Sequence, residues 1–200
     1  MIPRLFPVAE GTLFIDGIDL NRLPLKRLRE AVGFVPQETF LFSRTIAENI
    51  GYGKPGATRE EIERAAKIAG LSGDLTRFPQ GLDTLVGERG VTLSGGQKQR
   101  VSIARALIKE PNILILDDPL SAVDADTEEE ILSALSGYYG ERTVLIVSHR
   151  LSPLRNCDQI IVLEQGSIVE QGSHAELLDV GGRYAAIYRE EQLKAEIERL

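Results

Sequence analysis

A wholly apolar run, Ile113-Leu114-Ile115-Leu116, closes on two carboxylates, Asp117 and Asp118, and this short stretch constrains the fold more than any other. It is too short for a helix of its own and shows no polar alternation, so it reads as a strand buried on both faces. Such strands belong to parallel, helix-covered sheets, which present their ligands at the carboxyl ends of the strands. Just upstream, Leu93-Ser94-Gly95-Gly96-Gln97 opens a helical pattern with Val101, Ile103, Ala104, Ala106, Leu107 and Ile108 on its apolar face, stopping near Pro111. Two glycines at a helix start offer unpaired amides and the positive end of the helix dipole, a ready site for phosphate. A phosphate site followed by strand-end carboxylates suits a magnesium–nucleotide complex.

The rest of the chain alternates in the same way. Residues 12–17 read as a strand closing in an Asp16-Gly17 turn, 24–31 as a short helix, and Gly33-Phe34-Val35 as a strand before a loop at Gln37. Thr58-Arg59-Glu60-Glu61 is a capping-box pattern opening a helix that ends at Gly70. Beyond Asp118 the pattern predicts a helix over 125–136 and strands over 142–148 and 158–163, with a Gln165-Gly166 hairpin into 167–170. Strands separated by helices imply a mainly parallel sheet. Residues 183–200 read as an amphipathic helix.

Composition narrows the function classes. The net charge of −7 argues against a nucleic-acid backbone as the main partner. One cysteine, Cys157, excludes an internal disulfide framework, and with two distant histidines it makes no zinc pattern. No apolar stretch approaches the roughly 20 residues of a membrane helix, so any membrane role is expected through other segments or chains.

Taken in order, LSGGQ at 93–97, its helix, ILILDD at 113–118, Ser121-Ala122-Val123-Asp124 and His149 resemble the nucleotide-binding domain of an ATP-binding cassette (ABC) transporter. Val35-Pro36-Gln37-Glu38-Thr39 resembles the family's Q-loop, and 84–90, ending Val86-Gly87-Glu88-Arg89-Gly90, resembles a loop of its exporters. The resemblance implies an α/β ABC-ATPase core with a mainly parallel sheet and an inserted helical lobe. It divides the chain into a β and Q-loop part (1–42), a helical lobe (43–92), a signature helix with α/β core (93–182) and a tail helix (183–200).

The resemblance also implies roles, each beside a plainer alternative. Asp117 would hold Mg2+ through its waters, or simply cap the next turn. Asp118 stands where the family usually has Glu, whose carboxylate polarises the attacking water. Asp is one methylene shorter, and a misplacement of about 1 Å can cost on the order of a hundredfold in rate, so a slow site is expected. His149 would hold the γ-phosphate and water, and Gln37 would approach the metal and sense the phosphate; the alternatives are a structural histidine and a polar loop residue. Ser94, Gly95, Gly96 and Gln97 would bind ATP in trans, on a facing domain, where the alternative for the glycines is helix-start geometry alone. Ser121 and Asp124 would belong to the dimer-interface loop, with an N-cap as the alternative for Asp124.

The phosphate-cradling G-x-x-x-x-G-K-[ST] loop is absent from the sequence; Gly53-Lys54-Pro55 is the nearest match and has Pro where Ser or Thr is required. In the family this loop lies upstream of a segment similar to Ile2-Pro3-Arg4-Leu5-Phe6. The first strand and phosphate loop are therefore expected outside these 200 residues, which alone would bind ATP poorly. The overall expectation is an ATP- and Mg2+-dependent ATPase domain of an exporter on the cytoplasmic face of the cell (inner) membrane. Its expected partners are an upstream transmembrane domain and a second nucleotide-binding domain, the pair forming a heterodimer in which this subunit holds the degenerate site. A second reading is a non-catalytic module donating its LSGGQ face to a complete ATPase.

Overall fold

A computed structural model describes residues 1–87, 93–120, 123, 125–140 and 142–198. The chain divides after Val147 into two compact units. This boundary follows packing and falls inside the 93–182 stretch.

The first unit is organised by a three-stranded parallel sheet. Strand β3 (Val32–Val35) pairs with β4 (Ile113–Asp117), and β4 pairs with β5 (Thr143–Val147), in the order β3-β4-β5. Val35 stands opposite Leu116, and Asp117 opposite Val147, so β4 and β5 reach their carboxyl ends together. The apolar run 113–116 is therefore the central strand of this sheet. Gly33 lets the sheet approach the helix Gly95–Leu107: a Cβ there would lie 2.8 Å from Pro111 Cγ and 3.1 Å from the Ala106 carbonyl oxygen.

One sheet face, carrying Val35, Leu114 and Leu116, packs into a large helical core. That core is built by α2 (Ile46–Gly51), α3 (Arg59–Ile68), α4 (Ser72–Arg77), α5 (Gly95–Leu107) and α6 (Ala125–Tyr139). Capping boxes start three of these helices, with Thr45–Glu48, Thr58–Glu61 and Ser94–Gln97 each satisfying two otherwise orphaned amides. On the other face, Val32 and Ile115 pack with Leu20 and Leu28 beneath an N-terminal layer. That layer contains the hairpin β1 (Phe14–Ile15) and β2 (Ile18–Asp19) and helix α1 (Leu25–Ala31). Asp16 and Gly17, at φ 49° and 75°, make the tight turn expected of an Asp-Gly pair. This second layer stops short of β5, where Leu145 and Val147 are 40% and 55% exposed.

The second unit holds the antiparallel hairpin of β6 (Ile160–Glu164) and β7 (Ser167–Gly172), then α7 (His174–Val180) and α8 (Arg183–Glu198). Gln165 and Gly166 form its turn, both at positive φ. The strand expected at 158–163 pairs antiparallel with β7, as the Gln165-Gly166 hairpin in the sequence predicts. Leu151, Ile160, Leu177 and Tyr184 form this unit's core. Helix α8 is amphipathic only in its first half: Tyr184 is buried, while Leu193 and Ile197 are exposed. Among the described residues, no helix is long and apolar enough to cross a membrane.

Candidate nucleotide site

The first unit brings Gln37 to the carboxylate of Asp118, next in sequence to Asp117. Asp117 is the last residue of β4 and half-buried, while Asp118 is buried. Asp118 turns the chain out of the sheet in the left-handed region, at φ 45°, which Asp tolerates better than most residues. Its amide donates to the Val147 carbonyl at 2.7 Å, adding a rung to the ladder. Gln37 follows β3 by two residues and donates its Nε2–H to Asp118 Oδ2 over a long 3.4 Å, joining positions 81 apart in sequence. Gln37 Oε1 and the two carboxylates are hard-oxygen groups, all carried at or just beyond the carboxyl ends of neighbouring parallel strands. That set fits Mg2+, which is held by one or two carboxylates, waters and substrate phosphates. Asp117 with Gln37 would hold it.

The loop after Gln37 is pinned from α5. Arg105 donates from Nε to the Asn49 carbonyl at 2.8 Å, from Nη1 to the Phe40 carbonyl at 2.8 Å and from Nη2 to Asn49 Oδ1 at 2.9 Å. Buried Asn49 returns its amide to the Phe42 and Thr45 carbonyls. Burial lowers the Arg105 pKa, yet an arginine stays protonated at neutral pH and its donors stay available. Phe40, Phe42 and Tyr52 cluster beside it, with ring centroids 5.1 Å and 4.7 Å apart, and Phe40 and Tyr52 are exposed.

The LSGGQ turn is a second element of the same unit. Ser94 is exposed as the N-cap of α5, and Gly95 and Gly96 are the first two helical residues, where amides have no intrahelical acceptor. Ser94 Oγ accepts the Gln97 N–H at 3.2 Å, and Gln97 Oε1 accepts the Ser94 N–H at 2.9 Å. Gln97 Nε2 donates to Asp74 Oδ1 at 3.0 Å. Neither Asp74 nor Arg105 carries a signal in the sequence, because their hydrogen-bond partners lie at least 23 and 56 positions away.

His149 belongs to the second unit, exposed and two residues beyond the end of β5. Next to it, Arg150 N–H donates to Ser148 Oγ at 3.0 Å, and Leu151 N–H donates to Glu191 of α8 at 3.0 Å. His174 bonds through Nδ1 to Tyr184 Oη at 2.8 Å, a structural role inside that unit. Ser121 and Asp124, and residues 88–90 of the 84–90 loop, lie outside the described residues.

A family model described as "ABC transporter" matches residues 1–121. The chain is 49% identical over 188 residues to the putative multidrug export ATP-binding/permease protein YgaD of Bacillus subtilis, spanning 94% of this chain and 32% of that one. It is 46% identical over 192 residues to the ATP-dependent lipid A-core flippase of Legionella pneumophila, spanning 96% and 33%. Among solved structures, it superposes at TM-score 0.90 and 46% identity on a bacterial Atm1-family ABC exporter with ATP bound, covering 96% of this chain and 34% of that one. The chain thus spans about a third of the length of these bacterial relatives. The parallel sheet whose central strand closes on two carboxylates, and the exposed LSGGQ helix start of the same unit, accord with these matches, and the chain belongs to the ABC transporter family.

Proposed function

We propose that this chain works as the ATP-hydrolysing domain of an exporter, completing one ATP site on a facing domain and hosting a weak one of its own. The observation that carries the reading is the arrangement at the end of β4, where buried Asp118 meets Gln37 and Asp117 sits one residue upstream. Magnesium, when bound, neutralises charge on the terminal phosphates. Asp118 accepts a hydrogen bond from the attacking water and polarises it, and Gln37 fixes the carboxylate's orientation through its amide. On the other side of the dimer, Ser94 Oγ and the Gly95 and Gly96 amides face the phosphates of the partner's nucleotide. His149 would hold the γ-phosphate of the ATP on its own chain, and Ser121 and Asp124 would line the dimer interface.

The partners follow from the same chemistry. The exposed Phe40 and Tyr52 rings, anchored by Arg105 next to the Gln37 loop, suit an apolar helix of a transmembrane domain. Such a contact would transmit closure of the site to substrate movement at the cytoplasmic face of the membrane. The uncovered face of β5 at Leu145 and Val147 supports a further strand and layer supplied by a longer parent, including the phosphate loop this sequence lacks. The short Asp118 carboxylate supports a heterodimer in which the partner's site carries most turnover.

In the parent transporter assembled with its partner, Asp118→Glu is expected to raise ATP turnover about tenfold or more, because reach to the water is restored. No gain in steady-state hydrolysis would remove the weak-site reading. The 200 residues alone are expected to show no micromolar Mg-ATP binding, and a clear titration heat at that affinity would overturn the dependence on a separate phosphate loop.

A further inference from the structure

The buried carboxylate of Asp74 makes contacts that the site described so far does not use. Asp74 lies in the first turn of α4 and is 7% exposed. Its Oδ1 accepts Gln97 Nε2–H at 3.0 Å, and its Oδ2 accepts Arg100 Nη2–H at 2.7 Å. Arg100 is equally buried, at 8% exposed. Gln97 and Arg100 are three residues apart on α5 and so share one helix face. A buried carboxylate is costly unless its hydrogen bonds are satisfied, and a satisfied one tolerates little displacement of its partners. Asp74 therefore grips the first turn and a half of α5 at two points.

The grip bears directly on the LSGGQ turn. Gln97 uses its oxygen on the Ser94 amide and its nitrogen on Asp74, so both ends of the side chain are engaged inside the subunit. This differs from the expectation that Gln97 itself binds nucleotide. We propose that Asp74 is a positioning residue: through Gln97 it fixes the orientation of Ser94 and the Gly95 and Gly96 amides, and so sets how tightly this subunit captures the ATP held by its partner. The inference rests on the reading that this turn contacts nucleotide in trans.

A purely structural ion pair and a positioning device differ in kinetics. Gln97→Glu keeps an oxygen for the Ser94 amide but places a carboxylate against Asp74, breaking the grip and sparing the cap. In the assembled full-length transporter, the ATP KM is expected to rise about tenfold, the scale of one charge-assisted hydrogen bond, with kcat within about threefold. Asp74→Asn combined with Gln97→Glu lets the Asn amide donate to the new carboxylate and retains one negative charge for Arg100. That double variant is expected to restore KM to within about threefold.

Thermal unfolding of each variant tells loss of folding from loss of capture. If Gln97→Glu fails to fold, Gln97→Met, which removes the Asp74 bond and the Ser94 cap together at similar volume, is read in the same assay. A wild-type KM in the folded single variant, or a raised KM that the double variant leaves unchanged, overturns the positioning role. Gly95→Asp separates the two levels. If it leaves hydrolysis intact, the reading in trans and the positioning role both fall; if it abolishes hydrolysis while the folded Gln97 variant is silent, only the positioning role falls.

Discussion

Gly95→Asp is expected to cut ATP hydrolysis by the assembled transporter by at least about a hundredfold. Gly95 is the first residue of α5, exposed, with an amide that finds no acceptor in its own helix. A carboxylate there occupies the positive end of the helix dipole and stands where a phosphate would approach. Two like charges about 4 Å apart repel by about 4 kcal/mol at an effective dielectric near 20, close to a thousandfold in affinity. The same carboxylate at a helix N-terminus stabilises the fold by a few tenths of a kcal/mol, so folding is not what is lost. Hydrolysis at saturating and sub-saturating ATP, beside a melting curve, separates the two. Activity within tenfold of wild type would mean that this helix start does not meet a nucleotide.

The second large effect concerns stability. Gly53 follows α2 in a turn pressed against α5, and a Cβ built there falls well inside van der Waals distance of the Arg105 carbonyl oxygen and 2.9 Å from Ile108 Cγ2. The obstacle is backbone of the helix that also carries the signature turn, so it cannot rotate aside as a flexible side chain would. Gly53→Ala is expected to destabilise the protein by about 3 kcal/mol, the upper end for overpacking a tight contact. Gly51, two residues earlier, is the control: its Cβ would meet only Ile62 Cδ1 at 3.5 Å, an ordinary contact. Gly51→Ala should be neutral or slightly stabilising, since Ala is the better helix former. Equal denaturation midpoints for the two variants would show that α2 and α5 do not pack this closely.

The features legible in the sequence were the locally encoded ones. The Asp16-Gly17 and Gln165-Gly166 turns, the Thr58 capping box and the central strand at 113–117 each depend on residues within a few positions of one another. The LSGGQ helix start was readable for the same reason. What could not be read are pairings across the chain: Gln37 with Asp118, Gln97 with Asp74, and Arg105 with Asn49 and Phe40. Each depends on which face of one helix or strand end meets another element, and no periodicity carries that information. The order β3-β4-β5 was only partly foreseen, because alternation gives parallel strands but not their neighbours.

The Gln37–Asp118 hydrogen bond has a spectroscopic consequence. The side-chain amide of a glutamine gives a pair of proton signals that respond to the charge on whatever accepts from it. Because Gln37 Nε2–H points at Asp118 Oδ2, that pair reports on the carboxylate it contacts. A sample labelled with nitrogen-15 in glutamine alone would then display the break of this contact on addition of Mg-ATP, without altering either residue.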